Sequence, residues 1–177
     1  MEKKLQTPSQ TIGPFFAYGL TPEQYSYEFN SWFDGTLTDI AAEENTITIV
    51  GKVFDGEGVP ADDAMVEIWQ NDQKTQRFGR YGTGTDKENR FLFQTTKPES
   101  VDGAAPFLSV VLFMRGLLLH LYTRIYFSDE EALNAKDEVL LTVPQDRRQT
   151  LIAQKKGQVY TFNIYVQGEN ETVFFDI

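Results

Sequence analysis

Cysteine is absent from this chain of 177 residues, and histidine occurs once, at His120. Without thiols there can be no disulfide, no thiolate metal site and no cysteine nucleophile. A lone imidazole cannot supply a pair of nitrogen ligands. Positive charge is scarce as well: 16 Lys and Arg stand against 26 Asp and Glu, for a formal net charge of −10. That balance opposes binding to phosphate backbones and to anionic membrane surfaces. Long apolar runs are missing. The most hydrophobic stretch, Phe107 to Met114, is far too short for a bilayer span and stops at Arg115. Lys3 and Lys4 have no apolar run behind them, so the amino terminus does not read as a signal peptide. No internal repeat and no low-complexity linker divides the chain. The expectation is one cytoplasmic domain, large enough to bury a core, with neither nucleic acid nor membrane among its partners.

What is abundant is aromatic. Phe (14) and Tyr (8) lead an aromatic content of 14% within 41% hydrophobic residues, a bias that suits strands. Thr46 to Phe54 alternates and is β-branched, and Asp55-Gly56-Glu57-Gly58 supplies turn chemistry after it. Ala64 to Gln70 alternates again, with Met65, Glu67 and Trp69 opposite Val66 and Ile68. A second turn, Asp86 to Asn89, leads into Arg90 to Thr96. Further strands are expected at 107–114, 122–127, 158–166 and 171–176. Short helices are expected at 129–135, capped by Ser128, and at 144–153, opened by Pro144. Many short strands punctuated by turns predict an all-β fold, an antiparallel β-sandwich with an extended N-terminal arm and a few short helices; a partly open barrel is the alternative. Residues 1–45 read as the arm and a surface-crossing loop pinned by Tyr18, Tyr25, Tyr27, Phe29, Trp32 and Phe33. Residues 46–177 form the sandwich.

Several residues have ordinary readings from their neighbours alone. His120, within Leu117-Leu118-Leu119-His120-Leu121-Tyr122, reads as a hydrogen-bonded structural histidine. Asp62 and Asp63 read as part of a solvated loop. Arg115 closes an apolar strand and pairs with a surface acid. Arg124 makes a structural ion pair, and Tyr122 and Tyr126, four apart on one strand, share a face in a core or interface. The terminal Val173-Phe174-Phe175 either completes the core or covers a partner. The arm Thr7-Pro8-Ser9-Gln10-Thr11-Ile12-Gly13-Pro14-Phe15-Phe16 can be neither helix nor regular strand, because of Pro8 and Pro14, yet it is too apolar to be left in solvent.

That arm, together with the carboxyl-terminal Gln167-Gly168-Glu169-Asn170-Glu171-Thr172-Val173-Phe174-Phe175-Asp176-Ile177, resembles the intradiol ring-cleavage dioxygenases, and the terminal run resembles their α-type chains. The likeness continues through Val50 to Pro60, Val66 to Asp72 and Phe91 to Pro98. The resemblance implies a complex that adds both atoms of dioxygen between the two hydroxyl-bearing carbons of a carboxylated catechol, a step in aromatic catabolism through the β-ketoadipate pathway. Catalytic chains of the family hold non-haem ferric iron with two tyrosines and two histidines. Here no Tyr follows Lys97-Pro98 in Glu99 to Gly103, Phe107-Leu108-Ser109 occupies the histidine strand after Ala105-Pro106, and no Tyr lies between Asn71 and Phe78. The resemblance therefore implies no metal on this chain, Fe(III) on an iron-bearing β subunit in a hetero-oligomer, and a chain inactive by itself. It also implies that Thr11, Gly13, Pro14 and Phe15 line the substrate pocket. Arg115 is implied as the binding and catalytic residue that meets the substrate carboxylate. A metal-free sandwich serving only as a binding module is the alternative. An iron-independent enzyme is not, since no nucleophile–base pair forms without His120.

Overall fold

The computed structural model describes residues 19–38, 45–72 and 76–176. Nine strands follow in chain order: β1 (Thr46–Phe54), β2 (Met65–Asn71), β3 (Gln76–Gly82), β4 (Arg90–Thr96), β5 (Phe107–Phe113), β6 (Leu121–Phe127), β7 (Ile152–Lys156), β8 (Val159–Thr161) and β9 (Ile164–Tyr165). They form one ladder in the order β3-β2-β5-β6-β7-β8-β1-β4, with β9 added beside β1. The ladder bends so that its two halves face each other. Ile47, Ile49, Val53, Phe91 and Phe93 from one half meet Val66, Ile68, Leu108, Val110, Leu112, Ile125 and Phe127 from the other in a single core. Most of these side chains are fully buried, each worth about 1.5–3 kcal/mol relative to exposure. β1 shows the cause directly: its β-branched alternation gives strict alternation of buried and half-buried positions.

The sandwich is as expected, but the pairing is mixed. β1 runs parallel to β8 and to β9, and β6 runs parallel to β7, while the remaining ladders are antiparallel. β3 and β4, at the two ends of the ladder, are not paired with each other. Residues 34–37 lie across them: Arg80 N donates to Asp34 O at 2.9 Å, Gln94 N to Gly35 O at 2.7 Å and Leu37 N to Gln94 O at 2.8 Å. Both edges thereby gain partners. The loop holds on by its backbone and by Leu37, which packs on the core. Of the rings expected to pin it, Phe33 does so, packing edge-on against Phe78 of β3 with ring centres 4.8 Å apart, and Tyr25 is half-buried. Trp32 is 94% exposed, Tyr27 and Phe29 are also exposed, and Tyr18 lies outside the described residues.

Other expectations are corrected. β3 is a strand where sequence suggested only a loop between Asn71 and Phe78. The helix expected at 144–153 is a short 3-10 turn, Arg148–Leu151, running into β7. Of 129–135 only Glu131–Asn134 (α1) is helical, and Ser128 does not cap it; its hydroxyl accepts from Lys155 N at 3.0 Å. The helix Glu138–Thr142 (α2) had no sequence cue strong enough to find it, yet it is firmly capped. Buried Asp137 accepts from Val139 N and Leu140 N at its start, from Ala105 N at 3.2 Å and from the Tyr126 hydroxyl at 3.1 Å. The strand expected at 158–166 breaks at Phe162-Asn163 into β8 and β9. At 171–176 only Phe175 bridges, to Tyr122. Phe174 packs on the main core, and Val173 and Phe175 pack on a second cluster around Tyr126, Leu140, Val143 and Leu151. Of the two readings for the carboxyl terminus, completion of the chain's own core is the one observed. Among the described residues, no helix is long and apolar enough to cross a membrane.

Candidate functional site

Arg115 follows the buried Met114 at the end of β5, just before Gly116 turns the chain with φ +84°. Its neighbour is set by the sheet. β2 and β5 pair with Trp69 opposite Ser109, Glu67 opposite Val111 and Met65 opposite Phe113. Two residues further along the same register, Asp63 stands opposite Arg115. Arg115 forms an ion pair with Asp63, its Nε 3.1 Å from Asp63 Oδ2, and its Nη2 lies 3.9 Å from Asp62 Oδ1. The partners differ in setting: Asp63 is 13% exposed at its side chain, Asp62 68% and Arg115 65%. Burial pushes the Asp63 carboxyl above its ordinary range, Arg115 pulls against that rise, and the Asp62 charge adds to it.

These three residues line an open cavity of about 450 Å³ with Gln24, Tyr25, Gly84 and Asn89. Gln24 Nε2 donates to Asp62 O and to the Tyr25 hydroxyl, each at 3.2 Å. Asn89, at φ +57°, closes the turn that begins at Asp86. The cavity therefore carries one guanidinium, two carboxylates, an aromatic ring and amides. An arginine held at one edge can still offer two parallel donors at the other, which is the geometry a carboxylate takes.

The pairing of Arg115 with an acid matches its ordinary reading. Asp63 does not match: it is a shielded carboxylate facing a guanidinium, not part of a solvated loop. The signal for it was the strand register, which no local pattern contains. Gln24, Tyr25 and Asn89 were missed for the same reason. Thr11, Gly13, Pro14 and Phe15 lie outside the described residues.

A second cavity, of about 490 Å³, opens where the resemblance places the tyrosine loop and the histidine strand of catalytic chains. Val101 to Ala104, Phe107, Arg124 and Asp137 are among its lining residues. The Arg124 guanidinium lies 4.1 Å from the centre of the Phe107 ring and donates to the Tyr126 hydroxyl at 3.2 Å. The expected ion pair of Arg124 is thus replaced by a ring contact and a hydroxyl. Burial, set against Arg124 and supported by Asp137, pushes Tyr126 up to about 12, so it stays a neutral donor to Asp137. It is core, as expected, and Tyr122 shares its face. His120 lies 2.7 Å from the Tyr122 hydroxyl and against the Phe113 ring, a structural histidine. Ferric iron does not fit here: the strand offers Phe107 and Ser109, and a fixed guanidinium charge already covers the ring. Among the described residues, no group of three or more His, Asp or Glu could hold a metal ion.

No family model matches the chain. Over 97% of its length, and 98% of the relative's, it is 44% identical to the protocatechuate 3,4-dioxygenase alpha chain of Burkholderia cepacia. It is 37% identical to the protocatechuate 3,4-dioxygenase alpha chain of Pseudomonas putida, over 97% of this chain and 96% of that one. Among solved structures, the dioxygenase domain of a dioxygenase–carbohydrate-binding fusion from Streptomyces sp. SirexAA-E superposes with a TM-score of 0.60. At 18% identity, over 98% of this chain and 96% of that one, it supports the fold alone.

Proposed function

The chain belongs to the protocatechuate 3,4-dioxygenase alpha chain family, and on that premise we propose that it is the iron-free subunit of such an enzyme. The complex it forms with an iron-bearing β subunit cleaves protocatechuate with dioxygen between its hydroxyl-bearing carbons, giving 3-carboxy-cis,cis-muconate. The ferric ion, on the β subunit, activates the catechol ring toward dioxygen. What this chain adds is the shape and charge of the pocket. Thr11, Gly13, Pro14 and Phe15 of the arm line it, with Gly13 letting the backbone approach the ring and Pro14 holding that approach rigid. Arg115 meets the ring carboxylate, for which a planar guanidinium is the matching group. A division at residue 45 between arm with loop and sandwich belongs to the same reading.

The observation that carries the proposal is identity of 44% maintained over almost the entire chain with an alpha chain of that enzyme. The lining of the second cavity supports it, since Phe107 and the Arg124 guanidinium over its ring stand where the resemblance places the iron donors of catalytic chains. The test is co-expression with a β subunit carrying the two-tyrosine, two-histidine donor set. Iron per chain and protocatechuate-dependent oxygen uptake are then measured for the chain alone and for the pair. The expected result is iron and turnover in the pair only. Stoichiometric iron and oxygen consumption in the lone chain would sink the proposal, and an inert chain that ignores β would replace it with the binding-module reading.

A further inference from the structure

We propose that Asp63 is a positioning residue for Arg115, holding the guanidinium by Nε so that its outer edge is offered to the carboxylate of a carboxylated catechol. This rests on the reading above, in which Arg115 meets that carboxylate. Three observations carry it further than the contact alone.

Asp63 stands on a fixed platform. The fully buried Thr83 hydroxyl donates to Ala61 O at 2.8 Å and accepts from Ala64 N at 3.1 Å, and Thr83 N donates to Ala64 O at 2.8 Å. The backbone on both sides of Asp63 is thereby clamped to one side chain. The carboxylate itself is shielded, and its Oδ1 is buried and receives no hydrogen bond from any described residue. An uncompensated charge there would be costly, so the shielded carboxylate draws the Arg115 guanidinium to it as its one close cation among the described residues.

The geometry also divides the guanidinium. Its side edge, Nε with Nη2, faces the two aspartates, at 3.1 Å from Asp63 and 3.9 Å from Asp62. The end edge, Nη1 with the second hydrogen of Nη2, remains for a forked pair of bonds to a carboxylate. The two aspartates then have different fates. The exposed Asp62 makes a weak, water-screened contact that an incoming carboxylate displaces. The shielded Asp63 stays in place and keeps the arginine from swinging out with its exposed stem.

The test uses the co-purified α/β complex, with steady-state kinetics on protocatechuate and on catechol, which has no carboxylate. Asp63→Ala is expected to raise KM for protocatechuate about tenfold, the loss of one half-shielded ion pair that orients Arg115, with kcat changed less than about twofold. Catechol kinetics should not move, a result that general damage to the fold could not give. Asp63→Asn, which keeps an oxygen facing Nε, should restore most of the affinity, and Asp62→Asn, which removes the competing carboxylate, should lower KM for protocatechuate. If Asp63→Ala fails to assemble, Asp63→Glu decides, because moving the anchor by one methylene must raise KM for protocatechuate alone. An assembled Asp63 variant with unaltered KM, beside an Arg115→Ala complex whose KM rises, overturns the positioning role. An Arg115→Ala complex with unaltered KM overturns instead the reading on which it rests.

Discussion

Gly51 occupies the middle of β1, where the strand faces Phe91 across the β1–β4 ladder. A Cβ at this position would overlap the carbonyl oxygen of Phe162 and crowd the Phe91 ring. The obstacle is backbone and cannot rotate away, so the strand must shift. Gly51→Ala should cost about 1–3 kcal/mol or more, with a fall in Tm of about 2–4 °C for each kcal/mol. An unchanged thermal unfolding curve would show that the chain does not pass so close at Phe162. Asp137 has the opposite character, a single side chain that joins elements by accepting from α2, from the approach to β5 and from β6. A residue in this role is hard to read in advance. The bonds of Asp137 to the start of α2 are local, but its other two partners are 32 and 11 positions away in the chain. Asp63 and Arg115 raise the same difficulty. Each is an ordinary charged residue after a turn or a strand until the β2–β5 register sets them face to face.

At the scale of elements, the turn after β6 is tied to both ends of the second layer. Asp129 accepts from Lys97 after β4 at 2.9 Å, from Lys155 on β7 at 2.7 Å and from the Tyr160 hydroxyl on β8. Lys97 also pairs with Glu130. Burial on its own would raise the Asp129 carboxyl, but bonds from Lys155, Lys97 and Tyr160 override it and hold the group well below the usual range near 3.8. A carboxyl depressed in the folded state contributes stability above its unfolded value and loses that contribution as pH falls through the folded one. Asp129→Asn should therefore be less stable than the natural chain at pH 7. The gap should narrow as pH drops below about 4. Denaturant unfolding from pH 7 to pH 2 measures it, and a gap that stayed constant would show that the network does not titrate with Asp129. The strands this network joins were legible to different degrees. β1, β4, β5 and β6 alternate or are strongly apolar and stood out. β3 reads Gln-Arg-Phe-Gly-Arg-Tyr-Gly and becomes a strand because β2 offers it a full register of partners, from Met65 opposite Gly82 to Asn71 opposite Gln76. β7 is largely exposed beyond Ala153 and is held between β6 and β8 by pairing, not by an apolar pattern.

Across the whole molecule, the last residues close what the strands leave open. Phe175 N donates to Tyr122 O at 2.8 Å, Val173 N to the Thr150 hydroxyl at 3.2 Å, and Thr123 Oγ1 to Val173 O at 2.8 Å. The Phe174 and Phe175 rings pack on separate clusters, one on the main core and one beside Tyr126. Replacing both by Ala should cost about 3 kcal/mol or more in the isolated chain. That cost should appear in denaturant unfolding without any partner present; a loss seen only in the α/β complex would make this terminus an interface instead.

Composition and local order alone determined the β class, the positions of most apolar strands and the presence of a single histidine. Those are properties of residue type and of spacing within a few positions; burial on one face of a strand imposes the spacing directly. Tertiary structure alone decided the mixed ladder, the passage of residues 34–37 over both sheet edges and the seating of the carboxyl terminus on its own core. It also decided the pairing of Asp63 with Arg115. Each depends on the register between segments distant in sequence, and that register is settled by the packing of the whole core, which no short stretch of sequence contains.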